Sequence, residues 1–298
     1  MVTTGASGIV RADGADLYFE RRGDGPPLLL IAGGGGDCGY FSALASILAD
    51  DYTVLTYDRR GNSRSPLHRA PASIEIAEQS ADAVAVLRAC GFSSARIFGN
   101  SGGATIALDL AARHPEVIEA VVPHEPPVPM VLPDAEDYLR VYDEIDRVLS
   151  ADGWQAAFRL FHARIGHVPA AHLPATMDVL LNPAAVLQPG PQLDLMQRMS
   201  GNWEYMTKFE IQPFIRYLPD LDRIAGSDIT IALAAGAHSI ALASRADLRH
   251  DPFHRPSAVI AERLGAEFAE FPGGHLAPVE LPGPFATALR DTFGRLQG

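Results

Sequence analysis

Runs that are wholly apolar alternate along this chain with runs in which apolar and polar residues mix. Pro26-Pro27-Leu28-Leu29-Leu30-Ile31-Ala32 contains no polar side chain, the pattern of a parallel strand covered on both faces. Strand-like segments recur at 53–57, 95–98, 117–122, 229–235 and 267–271. Between most of them, residues 40–49, 73–89, 102–113, 257–264 and 284–296 repeat apolar positions every three to four residues, the helical period. Ahead of all these, Ile9-Val10 and Leu17-Tyr18-Phe19 flank the turn-like Asp13-Gly14 and predict a hairpin. Strands alternating with helices predict an α/β protein whose mostly parallel central sheet is flanked by helices.

The alternation stops after residue 122. A proline-rich stretch, Pro123-His124-Glu125-Pro126-Pro127-Val128-Pro129, leads into amphipathic helices. Tyr138, Val141, Tyr142, Ile145, Val148 and Leu149 make one apolar stripe, and Trp154, Ala157, Phe158, Phe161 and Ile165 another. A helical insertion between strands of a parallel sheet predicts a cap over the carboxyl ends of the strands, where such sheets bind ligands. The expected organisation is a core of residues 1–125 and 227–298, with a helical cap of residues 126–226 inserted before the penultimate core strand. No internal repeat is visible.

Composition narrows the partners. Mean hydropathy is +0.05, and no apolar run approaches the ~18 residues of a membrane span, so no membrane partner is expected. The chain has 24 basic and 36 acidic residues, a formal charge of −12. Its basic residues form no stripe that could track a phosphate backbone, which argues against nucleic acid. The opening Met1-Val2-Thr3-Thr4-Gly5-Ala6-Ser7 lacks the charged and apolar regions of a signal peptide. A cytoplasmic location is therefore expected, and two cysteines, Cys38 and Cys90, suit a reducing compartment. The pattern is compatible with a homodimer without fixing the oligomeric state. The 27 glycines and 23 prolines are not repetitive and fall between apolar runs, as punctuation.

The most informative punctuation is Gly99-Asn100-Ser101-Gly102-Gly103, which fits the G-x-S-x-G nucleophile elbow in the strand-turn-helix setting that motif requires. A serine at such a tip is exposed above the sheet, and the N–H of Gly102, at the helix start, points where an oxyanion would form. The chain order of the motif is serine, acid, histidine. His275, in Gly273-Gly274-His275 after the last predicted strand, is the expected base. The acid has more than one candidate. The turn after the strand at 229–235, Gly236-Ala237-His238-Ser239, holds no carboxylate, while Asp247 and Asp251 lie further along the same loop. Glu125, pinned by prolines just beyond the strand before the insertion, is the favoured acid, suited to fixing an imidazole's tautomer and orientation. His250 and His254 are four residues apart but have no third ligand in pattern, so no metal is expected, and no organic cofactor is needed.

These residues, with Asp58-Arg59-Arg60-Gly61-Asn62-Ser63-Arg64-Ser65 after an early strand and Phe271-Pro272-Gly273-Gly274-His275, make the chain resemble the α/β-hydrolase fold family over nearly its whole length. The elbow together with His124-Glu125-Pro126-Pro127 is similar, more narrowly, to the branch that includes zearalenone lactone hydrolase. In that branch the acid follows the strand before the cap, which implies Glu125. Ala32-Gly33 stands where the family usually has His-Gly.

The run Gly33-Gly34-Gly35-Gly36 has two competing uses. Gly34-Gly35-Gly36-Asp37-Cys38-Gly39 formally satisfies the dinucleotide pattern G-x-G-x-x-G, with Asp58 available as the acidic residue. In a hydrolase, the same loop supplies the second oxyanion donor, the N–H of Gly34, where the backbone must approach substrate closely. The latter also accounts for the elbow and His275. The expected function is a serine hydrolase acting on a carboxylic ester or lactone of a small molecule through Ser101, Glu125 and His275. A serine nucleophile argues against the epoxide and haloalkane hydrolases of the fold, which need a carboxylate. Trp154, Trp203, Tyr205, Met206, Phe209 and Phe214 in the cap point to an apolar substrate. Rival readings are a C–C bond hydrolase or lyase on the same triad, and a non-catalytic small-ligand-binding protein.

Overall fold

A computed structural model describes residues 5–71, 73–165, 170–239 and 253–297. The chain enters its sheet through the hairpin of β1 (Ala6–Ala12) and β2 (Ala15–Arg22). Ala12 pairs with Ala15, which leaves Asp13-Gly14 as a two-residue turn with Gly14 at φ 78°. Positive φ at the second position of a turn is what glycine accepts without strain. The parallel strands follow as β3 (Pro27–Ile31), β4 (Thr53–Tyr57), β5 (Ala95–Asn100), β6 (Ile118–His124), β7 (Ala232–Gly236) and β8 (Glu267–Phe271). Strand order is β1-β2-β4-β3-β5-β6-β7-β8, and only the β1–β2 and β2–β4 pairs are antiparallel.

The helices are α1 (Ser42–Leu48), α2 (Ile76–Ala89), α3 (Gly102–Arg113), α4 (Ala135–Asp152), α5 (Trp154–Ile165) and α6 (Leu173–Leu181). After these come α7 (Pro183–Val186), α8 (Pro191–Tyr205), α9 (Ile211–Ile215), α10 (Leu221–Ala225), α11 (His254–Leu264), α12 (Ala277–Glu280) and α13 (Pro282–Arg295). The unbroken apolar run of β3 has its explanation in the two layers. Leu28 and Leu30 join Leu44 and Leu48 of α1 and Phe285 and Leu289 of α13 on one face. Leu29 and Ile31 join Val86 of α2, Ile106 of α3 and Ile260 of α11 on the other. Side chains alternate across a strand, so a strand buried on both faces must be apolar at every position.

Helices α4 to α10 lie between β6 and β7, at the place where the alternation of the sequence stops. Some element edges shift. The segment expected to be helical from residue 40 starts as a 3-10 turn, Cys38–Phe41, before α1. Helix α11 begins at His254, because Pro256 falls in its first turn, where no intrahelical N–H bond is lost. In the apolar stretch from 229, Ile231 makes only an isolated bridge to Val121, and β7 starts at Ala232. Among the described residues, no helix is long and apolar enough to cross a membrane.

Candidate active site

The elbow is shaped by close approach. Ser101 sits between β5 and α3 at φ 57°, ψ −127°, a conformation that side chains rarely adopt. Its N–H donates to the carbonyl of His124 at 3.0 Å, and its own carbonyl accepts the N–H of Ala104 at 2.8 Å. A Cβ on Gly99 would lie 2.2 Å from the carbonyl oxygen of Gly103, and one on Gly103 would lie 2.0 Å from that of Ile31. Only glycine lets strand and helix pack this closely, which is why the motif has its form.

Glu125 follows β6 and is likewise at positive φ, 54°. Its N–H donates to Ala234 at 3.0 Å. Its side chain is fully buried and its carboxylate accepts on both oxygens. Oε1 takes the Gly236 N–H at 2.8 Å and the Ser239 hydroxyl at 2.5 Å, and Oε2 lies 2.7 Å from His275 Nδ1. Burial pushes this carboxyl up, but the His275 hydrogen bond, the charges of the neighbouring imidazoles and Ser239 outweigh it and lower the pKa to about 2. An ionised carboxylate can only accept, so Nδ1 of His275 carries the proton and Nε2 is the ring atom left for chemistry. Ser239 and Gly236 come from the turn in which the sequence offers no carboxylate. That turn supplies the donors for the acid.

His275 stands in the loop after β8. The Phe253 ring stacks on its imidazole at 3.9 Å, and Asn100 Nδ2 donates to its carbonyl at 3.4 Å. Asn100 is in turn bound through Oδ1 to His124 Nδ1 at 2.6 Å. His124 is wholly buried among Phe98, Phe271 and Phe285, and that burial lowers its pKa to about 4. The other acid candidates, Asp247 and Asp251, lie outside the described residues, as does His250. His254 packs against Phe268.

Ser101 and His275 line a cavity of 310 Å³, together with Gly33, Gly34, Asn100 and Gly102. The glycine loop runs against the serine: a Cβ on Gly33 would lie 2.7 Å from Ser101 Cβ. Over these residues the insertion contributes Met196, Met199, Trp203, Met206, Ile211 and Phe214. Of the aromatic and Met positions expected to face substrate, Trp203, Met206 and Phe214 do line the cavity. Trp154 packs on Phe158 instead, and Tyr205 on Phe209.

The dinucleotide use of the glycine run finds no site. Asp58, the residue that would hold a ribose, is fully buried and accepts the Cys38 N–H at 2.8 Å and Arg64 Nε and Nη2 at 2.7 and 2.9 Å. Asp37, Cys38 and Asp58 bring ligand-type atoms within 4.8 Å of one another. Arg64 and Arg198 already engage the two carboxylates, and burial holds the Cys38 thiol well above its ordinary pKa, which opposes a metal thiolate.

A model of the alpha/beta hydrolase fold family matches residues 26–217. An uncharacterized hydrolase of Bacillus subtilis, YraK, is 31% identical over 289 residues, covering 96% of this chain and 95% of its own length. The zearalenone hydrolase of Cladophialophora bantiana is 32% identical over 149 residues, 49% of this chain and 55% of that protein. Among solved structures, a hydrolase from Sphaerobacter thermophilus superposes with a TM-score of 0.66 at 22% identity, covering 98% of this chain and 100% of that one. An enol-lactonase from Burkholderia xenovorans does so with a TM-score of 0.67 at 17% identity, covering 96% and 100%.

Proposed function

Because the chain belongs to the α/β-hydrolase fold family, we propose that it is a serine hydrolase cleaving a carboxylic ester or lactone of a small apolar substrate. The observation that carries this reading is the buried Glu125–His275 hydrogen bond beside a cavity that Ser101 lines from its strained turn. Ser101 is the nucleophile. His275 takes its proton at Nε2 as the hydroxyl attacks the carbonyl, and Glu125 holds the imidazole in the required tautomer. The N–H groups of Gly34 and Gly102 stabilise the oxyanion, each worth about 3 to 4 kcal/mol in well-studied hydrolases. The tetrahedral intermediate collapses with His275 protonating the leaving alkoxide. Water, deprotonated by the same imidazole, then releases the acyl group from Ser101.

Residues 126–226 act in this reading as a cap that excludes water and shapes the substrate site, over a catalytic core of residues 1–125 and 227–298. The apolar cap side chains support a neutral, apolar substrate. The test is turnover of nitrophenyl esters of increasing acyl length and of simple lactones. Release of product by the wild type and its loss in Ser101→Ala support the reading. Absence of turnover with every ester and lactone overturns it. Glu125→Gln compared with Asp247→Asn and Asp251→Asn assigns the acid, with Glu125→Gln expected to be far the most damaging.

A further inference from the structure

Arg59 is 1% exposed, yet its guanidinium reaches three separate parts of the molecule. Nη1 donates to Gln79 Oε1 of α2 at 2.6 Å and to Glu210 Oε1 at 2.7 Å. Nη2 donates to Glu210 Oε2 at 2.9 Å and to the carbonyl of Gly33 at 2.9 Å. Glu210 ends the π-helical turn Met206–Glu210 that continues α8, is 3% exposed, and also accepts from Asn62 Nδ2 at 3.3 Å. Both ionic residues line the cavity. Such a forked pair, bonded through both terminal guanidinium nitrogens, holds its geometry far better than a single contact would.

The bond to Gly33 matters because of what shares its peptide plane. In a trans peptide the C=O and the N–H point to opposite sides, and the chain has no cis peptide among its described residues. The carbonyl of Gly33 and the N–H of Gly34 belong to one such unit. Glycines on both sides leave this plane without side chains to fix its rotation. The Gly36 N–H also reaches the Gly33 oxygen, at 3.1 Å, but it lies in the same glycine run and can turn with it. Arg59 is the contact anchored outside the run. It turns the carbonyl toward the buried ion pair and thereby presents the Gly34 N–H on the opposite side, and its positive charge polarises the amide.

We propose that Arg59, held in place by the cap carboxylate Glu210, is a positioning residue that fixes the Gly33–Gly34 peptide with its N–H toward the reacting carbonyl. Oxyanion stabilisation then depends on a docked cap. The inference rests on the serine-hydrolase reading and adds a control to it. Further cap contacts fall on the same loop. A Cβ on Gly34 would lie 3.0 Å from Met206 Sδ and one on Gly35 2.6 Å from the Trp203 ring, while Asn202 Nδ2 donates to the Gly35 carbonyl at 2.6 Å.

Removing Arg59 alone would strand a buried carboxylate, so the test uses the double variant Arg59→Met/Glu210→Met, which deletes both charges at similar volume. Its crystal structure is expected to show the Gly33–Gly34 peptide rotated. With a nitrophenyl ester, kcat is expected to fall about 100-fold with KM within about threefold. Affinity for a trifluoromethyl ketone, which forms a tetrahedral adduct on serine, is expected to fall in parallel, while affinity for the unreactive amide analogue holds. An unrotated peptide with kcat within about threefold of wild type would overturn the proposal. So would an equal loss of affinity for ketone and amide. Failure of the serine-hydrolase reading would show differently, as a wild type that neither turns over the ester nor binds the ketone covalently. The peptide's orientation in the variant would still decide what Arg59 and Glu210 hold.

Discussion

The two walls of the cavity are built from different materials. The core wall is set by strand ends and backbone: Ser101, which lines the cavity, and Glu125, buried behind His275, are both at positive φ, and their N–H groups are tied to the neighbouring strands. Its polar groups are placed by the register that sets Asn100 opposite His124 and Gly236 opposite Phe271. The cap wall, as we read the insertion, consists of side chains on helices, tied to the core by ion pairs such as Arg198–Asp37 at 2.7 Å and Arg59–Glu210. Chemistry that tolerates little displacement belongs on the first wall. Apart from Glu210, the side chains of the second can change without disturbing the sheet.

Substitutions on the core wall should therefore act on rate. Ser101→Ala is expected to lower kcat about 10⁶-fold, and Glu125→Gln about 10⁴-fold by allowing the wrong imidazole tautomer. Steady-state kinetics on one ester measures both, and a loss below about tenfold in either would break the contrast.

Acid should weaken both walls at once. Burial lowers His124, behind the core wall, and His162, on the cap wall, to about 4. The unfolded chain protonates both near 6.5, while the folded chain keeps them neutral down to about 4. Their contribution is intact above pH 6.5 and is lost as the pH falls from there toward 4, by about 2 kcal/mol for each histidine at pH 4.5. The depressed Glu125 carboxyl stabilises the fold above about 4.5 and loses that effect only as the pH falls toward about 2, so it does not confuse this window. Urea unfolding at pH 7 and pH 4.5 measures the difference, and His162→Phe should remove about half of it. Equal midpoints at the two pH values would contradict the expectation.

The smallest effect is expected on the cap wall. Leu180 lines the cavity from α6, and Leu180→Ala should raise the kcat/KM ratio of a bulky over a small acyl group by about tenfold. An unchanged ratio would remove Leu180 from the substrate site.

Most of the fold was legible because burial on both faces of a parallel sheet writes an unbroken apolar run, as in β3. The hairpin turn and the elbow were legible for a related reason, since backbone geometry there restricts which residues fit. Side-chain tertiary pairs leave no comparable mark. Arg59 and Glu210 are 151 positions apart, and nothing local to either names its partner. Ser239 was visible only as a turn without a carboxylate, and its hydroxyl became meaningful when the turn met Glu125. Phe253 could not be matched to His275 before the chain brought them together across the end of the sheet.

The assignment of Ser101 as nucleophile is tested most directly by reaction with a fluorophosphonate, followed by intact mass and peptide mapping. The expected result is a single adduct on Ser101 in the wild type and none in Ser101→Ala. A wild type left unlabelled, or a variant labelled to the same extent, would contradict it.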